Sequence, residues 1–339
     1  FTLTKWIKEQ QGRPVAGDGC IYTFYDKLGK LRGQLVVHVD DGIMSGTDAF
    51  LKEMTYKLKS KWNIEKFDEN DFKFCGLWVQ KKKRDVYVTQ DKYSDMISDI
   101  KMTRARASQT TEKMTPSEIK EVQSVAGAAN WMSTQTRPDL SFDVSELVGL
   151  ISHDGTVACI KKANKLVKKI KASKESCLIF RSLKDTTLEQ LRLVVYSDAS
   201  WANMPGLKSQ SGQVFCLAGN PTHDTHTHFN GNLIHWRSQR IKRVCRSTFA
   251  AETLSAIDAI DQGIFLRDMF TGWLNLNQKN EHGRHCIPLQ VWSDCNSLCE
   301  TLQMVEPAAT EKRLKLDLKS MKENLDDGTI DNFWQDAEQ

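Results

Sequence analysis

No run of about 18 consecutive apolar residues occurs in this sequence, which excludes a membrane-spanning helix of ordinary length. No basic-then-apolar leader opens the chain either, and Phe1 stands where an initiator Met would, so a processed piece or a truncated reading frame is expected. The nine cysteines are odd in number, scattered, and never spaced Cys-x-x-Cys. That excludes a disulfide framework and fits reduced thiols in an intracellular protein. A phosphate-cradling glycine-rich loop, a dinucleotide fingerprint and a Ser-His-Asp arrangement are all missing. Charge of one sign is scarce as well: 47 Lys and Arg against 43 Asp and Glu leave only +4, so any nucleic-acid surface must come from distribution.

What is present is the composition of a soluble globular protein, 40% hydrophobic and 27% charged, in 339 residues that suggest about two to three domains. The chain is organised around LRLVVYSDASWA, Leu191 to Ala202, where an apolar strand delivers Asp198 into a polar end. The same device returns twice. RSTFAAETLSAIDAI sets Glu252 inside an apolar helical pattern, and IPLQVWSDCNSL delivers Asp294 from a second buried strand. Each acid alone could be a cap or a surface charge. If the elements pack side by side, three carboxylates converge, and they repel one another unless protons or a divalent cation intervene; an oxygen-only cluster favours Mg²⁺ or Mn²⁺.

These contexts, in this order, resemble the ribonuclease H domain of copia-type LTR retrotransposons: YSDASWA on the first strand, RSTFAAET at the helix start, SDCNSL at the third site. Upstream, QLVVHVDDGIMSG reads as a hairpin with Asp40 and Asp41 at its tip, similar to the Y-x-D-D hairpin of reverse transcriptases, with His38 where that family has Tyr. An ordinary Asp-Gly turn is the plainer alternative. FCGLWVQ, VTQDKYSDMI and QTRPDLSFDVSEL also follow the copia-type Pol polyprotein, so the resemblance covers practically the whole chain. It implies an α/β fold: an RNase H-like mixed sheet with flanking helices, preceded by a partial reverse transcriptase palm and a helical thumb or connection segment. The expected division is 1–100 for the palm, 101–187 for the thumb or connection, and 188–339 for the RNase H-like domain, truncated at its C-terminus.

The resemblance further implies two-metal hydrolysis of RNA in RNA–DNA hybrids, with Asp198 bridging two Mg²⁺ or Mn²⁺ ions and Glu252 and Asp294 holding one each. Asp40 and Asp41 are expected to hold Mg²⁺ for polymerisation on a primer-template. It also implies a cytoplasmic particle or the nucleus as location, and says nothing of oligomeric state. Both sites are expected to lack a ligand: the polymerase takes another Asp from an earlier strand, and the nuclease a fourth acid from a Leu-Ala-Asp motif, where this chain reads FWQDAEQ with Asp336 too early. The rival reading is a degenerate, non-catalytic nucleic-acid-binding remnant.

Local patterns complete the expectations. Thr47 or Asp48 caps a helix to about Lys61; FKFCGLWVQ and DVYVTQ make two strands around the basic tip Gln80 to Arg84. Leu35, Val37 and Val39 should face one side of their strand, and Val36 and His38 the other. Thr115-Pro116-Ser117-Glu118 is a capping box for a helix through Trp131, and Pro138 begins another. KKANKLVKKIK, Lys161 to Lys171, puts Ala163, Leu166, Val167 and Ile170 on one helical face and lysines around the rest. A meander of LRLVVYSD, SGQVFCLAG and NLIHWRSQ precedes a helix over Ser247 to Trp273 with Ala251, Leu254, Ile257, Ile260, Ile264 and Phe265 as its apolar stripe. The basic stretch Arg237 to Arg246 is the one expected nearest a scissile phosphate. His223, His226 and His228 read as a polar loop rather than a zinc site, and His282, His285, Cys286, Cys295 and Cys299 as a loop and buried thiols.

Overall fold

The computed structural model describes residues 2–39, 41–62, 64, 66–183, 186–219, 231–276, 279, 283, 285–307, 309 and 311–335, with backbone only at Thr2, Trp334 and Gln335. Helix α1 (Thr2–Glu9) precedes an antiparallel sheet, β1 (Arg13–Val15), β2 (Asp18–Tyr25), β3 (Leu31–His38) and β4 (Asp41–Gly46), in that spatial order. Helix α2 (Asp48–Lys61) starts where Thr47 Oγ1 accepts the Phe50 N–H, the expected cap. Its Phe50, 1% exposed, lies so close to β3 that a Cβ on Gly33 would meet Phe50 Cδ1 at 2.1 Å. Only glycine leaves that space. Phe50→Ala is therefore expected to cost about 3–5 kcal/mol of stability, measured by urea unfolding.

The β3 strand ends sooner than its alternation suggests. Leu35 and Val37 pack into the first core, but Val39 has φ 52° and is 80% exposed, so it belongs to the turn and not to the inward face. A second correction concerns FKFCGLWVQ, which is two strands: β5 (Asp71–Phe74) and β6 (Leu77–Lys82) fold back on each other through Cys75 and Gly76, at φ 49° and 82°. Two consecutive residues at positive φ make the kind of tight hairpin turn whose twist matches that of the strands. Strand β7 (Asp85–Thr89) pairs with β6 across the basic tip, and β8 (Leu178–Phe180) returns much later to pair with β7.

Between β7 and β8 the chain is helical: α3 (Asp91–Met96), α4 (Arg104–Ser108), α5 (Pro116–Gln135), a 3₁₀ turn at Pro138–Leu140, α6 (Ser141–His153) and α7 (Val157–Ala172). The capping box at Thr115 and Glu118 forms in full, and α5 continues one turn past Trp131. Arg106 also holds Glu118, and these hydrogen bonds lower its carboxyl pKa to about 2. Ala163, Leu166, Val167 and Ile170 of α7 are buried against α5 and α6, as the spacing of the lysines between them requires.

The last sheet holds β9 (Arg192–Met204), β10 (Lys208–Ala218), β11 (Gly231–Arg240), β12 (Leu289–Ser293) and β13 (Asn332–Gln335) in the order β11-β10-β9-β12-β13. Strands β11, β10 and β9 form the antiparallel meander; β12 runs parallel to β9, and β13 parallel to β12. This is an RNase H-like mixed sheet. Helices α8 (Thr248–Trp273), α9 (Asn296–Gln303) and α10 (Lys312–Asp326) flank it, and α8 packs on Leu193, Val195, Phe215, Leu289 and Val291. The α8 stripe differs from the expected one at Phe265, which is 50% exposed beside Gly17, while Leu266 turns inward. Among the described residues no helix is long and apolar enough to cross a membrane, and all nine cysteines are free.

Candidate metal centre

Strand register brings Asp198 and Asp294 together. Leu193 of β9 lies opposite Leu289 of β12, and Tyr196 opposite Trp292, so each acid stands two residues beyond a paired aromatic and at the same height. Side chains two apart share a face. Parallel pairing thus carries both carboxylates to the same end of the sheet, next to the stacked Tyr196 and Trp292 rings, whose centroids are 6.2 Å apart.

Glu252 arrives from α8. Ser247 Oγ caps that helix by accepting the Ala250 N–H, and Glu252 follows in the second turn, near the positive end of the helix dipole. One carboxylate oxygen of each of Asp198, Glu252 and Asp294 lies within 4.8 Å of the others. Asp198 and Asp294 are exposed at the mouth, whereas Glu252 is 4% exposed beneath them. Its Oε1 accepts the Ala199 N–H at 3.1 Å; its Oε2 is buried with no partner. Burial first, then the charges of Asp198 and Asp294, push the Glu252 pKa up to about 8 against the pull of the Ala199 N–H. Asp198 is raised by the same causes, loss of water and then Asp294.

A hydroxyl cluster under the acids was not legible beforehand. Ser255, one turn beyond Glu252, donates to the Asp198 carbonyl at 3.0 Å and accepts from Ser197 at 2.9 Å, with Ser211 Oγ at 2.6 Å as its third partner. A hydroxyl with one donor and two acceptor sites is then saturated. The only sequence signal was a small polar residue within an apolar helix stripe. Ser255→Ala leaves the Ser197 and Ser211 hydroxyls and the Asp198 carbonyl short of a partner, and is expected to cost about 1–3 kcal/mol in chemical denaturation.

Asp41 lies elsewhere, exposed at the start of β4 and paired with His38 across the hairpin. It takes no part in the cluster of Asp198, Glu252 and Asp294. Asp40 lies outside the described residues, as do Asp336, His223, His226, His228 and His282. Cys299 is buried on α9, and that burial pushes its thiol pKa up to about 11. Two members of the basic stretch are already held by carboxylates, Arg237 by Asp258 at 3.2 Å and Arg243 by Asp317 at 2.6 Å.

The donor set fits a hard divalent cation. All ligands are carboxylate oxygens, without the thiolates or imidazoles that select zinc, and the orphaned Oε2 of Glu252 is a buried acceptor facing two like charges. No protein-family model matches the chain. In an alignment of 269 positions that covers 72% of this chain, it is 24% identical to the Retrovirus-related Pol polyprotein from transposon TNT 1-94 of Nicotiana tabacum. The chain is similar to a retrotransposon Pol polyprotein. This Pol-like chain spans 18% of that relative. Over 144 residues it is also 28% identical to Secreted RxLR effector protein 161 of Plasmopara viticola, matching 42% of this chain and 89% of that one. In three dimensions it resembles the foamy viral protease-reverse transcriptase dRH, solved in complex with double-stranded DNA, with TM-score 0.51 and 15% identity over 90% of this chain and 46% of that one. At that identity the likeness is one of fold.

Proposed function

We propose that Asp198, Glu252 and Asp294 form the metal centre of a ribonuclease H that cleaves the RNA strand of RNA–DNA hybrids, within a copia-type Pol polyprotein. The observation that carries this reading is the convergence of three carboxylates within 4.8 Å, one of them buried with its pKa pushed up to about 8 by burial and its two acidic neighbours. That carboxylate set would hold divalent ions, whose chemistry when bound would be to activate a water and neutralise charge on the leaving oxygen. Asp198 and Asp294 would hold them from the solvent side, and Glu252, whose Oε1 accepts the Ala199 N–H, would hold them from below. The Ser197, Ser211 and Ser255 hydroxyls fix the distance between helix and sheet on which that geometry depends.

The same reading assigns residues 1–100 to the end of a polymerase palm, 101–187 to a thumb or connection and 188–339 to the nuclease, with Asp40 and Asp41 as the acids that would help hold Mg²⁺ for phosphoryl transfer to a primer. Support for the polymerase part is the β3–β4 hairpin, which presents Asp41 to solvent at its turn.

The test is a comparison of the wild-type chain with Asp198→Asn. Fluorescent RNA–DNA hybrid is incubated with Mg²⁺ or Mn²⁺, and the melting temperature is recorded with and without the ion. Metal-induced stabilisation of the wild type alone, with cleavage that is weak because only three acids of the expected four are present in this sequence, supports the reading. Hybrid binding with neither cleavage nor metal response would establish the non-catalytic remnant instead.

A further inference from the structure

Strand β9 does not stop at Asp198. Residues two apart share a face, so Leu193, Val195, Ser197 and Trp201 all belong to the side of the sheet that α8 covers. Leu193 and Val195 pack under that helix, and Ser197 Oγ reaches Ser255 Oγ. Trp201, the last of the series, reaches past the helix start: its indole Nε1 donates to the Cys245 carbonyl at 3.0 Å. The bonds between β9 and the α8 segment therefore form a graded series. Ser255 meets the Asp198 carbonyl at 3.0 Å, Glu252 Oε1 accepts the Ala199 N–H at 3.1 Å, and Cys245 meets Trp201, so position falls along one chain as it rises along the other. The Glu252 bond is buried; the Trp201 bond is the outermost, with Trp201 45% exposed.

The indole is braced from behind. Ala202, next in the chain, has φ 54°, a left-handed conformation that a residue with a Cβ keeps only where its surroundings enforce it. Ser209, buried on β10, does so, its Oγ accepting the Ala202 N–H at 3.1 Å. The Ser209 carbonyl also accepts the Ile241 N–H at 2.8 Å. One serine thus ties the turn after Trp201 to Ile241, where the segment leading into α8 begins, and Trp201 ties that segment again at Cys245. Two residues later Ser247 caps the helix. Between the two anchors Lys242 and Val244 are exposed, and Arg243 leans outward onto Asp317 of α10, so the Cys245 carbonyl is the point at which the helix entry is held to β9.

We propose that Trp201 is a positioning residue of the metal centre: through the Cys245 carbonyl it sets where α8 begins, and so how far the Glu252 carboxylate stands from Asp198 and Asp294. Glu252 follows in the second turn of a continuous helix, so a shift of the helix start is carried to its side chain. The bracing geometry stands on its own; the positioning role rests on the metal-centre reading.

Trp201→Phe keeps an aromatic ring and deletes the donor. Thr47→Ala deletes the cap of α2, beside the first sheet, and serves as a control for loss of stability alone. Mn²⁺ binding by the wild type and both variants is read from the electron paramagnetic resonance of the free ion, beside thermal melts without metal. Trp201→Phe is expected to weaken Mn²⁺ affinity about tenfold, the lower end for removing a group that orients a metal ligand. Thr47→Ala should keep the wild-type affinity although its melting temperature falls by a similar amount. A Trp201→Phe protein with wild-type Mn²⁺ affinity overturns the positioning role. So does a loss of affinity in both variants that tracks their melting temperatures, which makes the indole part of the scaffold only. If the wild type itself binds no Mn²⁺, the metal-centre reading fails and the positioning role falls with it.

Discussion

Glu252→Gln is expected to reduce hybrid cleavage at least about a hundredfold while making the metal-free protein more stable at pH 8. The first effect follows from removing a ligand, since even an outer partner of a metal ligand is worth 10- to 100-fold. The second follows from burial. Glu252 is shielded from water and faces Asp198 and Asp294, so its ionised form is costly and its pKa stands at about 8. Glutamine is neutral at every pH, retains the oxygen that accepts the Ala199 N–H, and fills the same volume. Loss of activity together with gained stability distinguishes a functional carboxylate from a structural one. A variant that lost both would place Glu252 in the scaffold instead.

A second large effect concerns pH in the absence of metal. Glu252 has a folded pKa of about 8 against 4.5 for the free group. Between those values the folded chain keeps a proton that the unfolded chain has released, so stability falls as pH rises from about 4.5 to about 8, by on the order of 3–5 kcal/mol. Mg²⁺ or Mn²⁺ should reverse the trend. Binding requires the ionised carboxylate and expels the proton, so metal affinity rises with pH up to about 8. At an ion concentration a hundred times its dissociation constant, the stabilisation is about 2.7 kcal/mol. Urea unfolding at pH 5, 6, 7 and 8, with and without the ion, measures both slopes. A metal-free stability that is flat across this range would remove the buried acid from the account, and Glu252→Gln supplies the flat reference.

Local elements were the most legible part of the chain. The caps at Thr47 and Thr115 and the lysine-flanked stripe of α7 depend on residues three or four apart, and they formed where the pattern put them. Turns were harder to read. Nothing in FKFCGLWVQ distinguishes one buried strand from two short ones, because the deciding feature is a pair of positive φ values at Cys75 and Gly76 rather than a polar break. Phe265 was misplaced for a different reason. Helix α8 is buried on much of its circumference, so apolar spacing alone does not say which side faces the sheet.

The sequence by itself determined where helices are capped and begin, as at Thr47 and Thr115, because backbone preference and apolar periodicity act over a few residues. It singled out Asp198, Glu252 and Asp294 as acids at polar ends of apolar elements. The tertiary structure alone decided that they meet. The parallel register of β9 with β12 sets Asp198 and Asp294 at one height, and the Ser197–Ser211–Ser255 hydroxyls hold α8 against the sheet. The reach of Trp201 to the Cys245 carbonyl was decided in the same way, between residues far apart in the chain. Such pairings depend on which strands become neighbours and how closely a helix can approach them, and no local pattern encodes that.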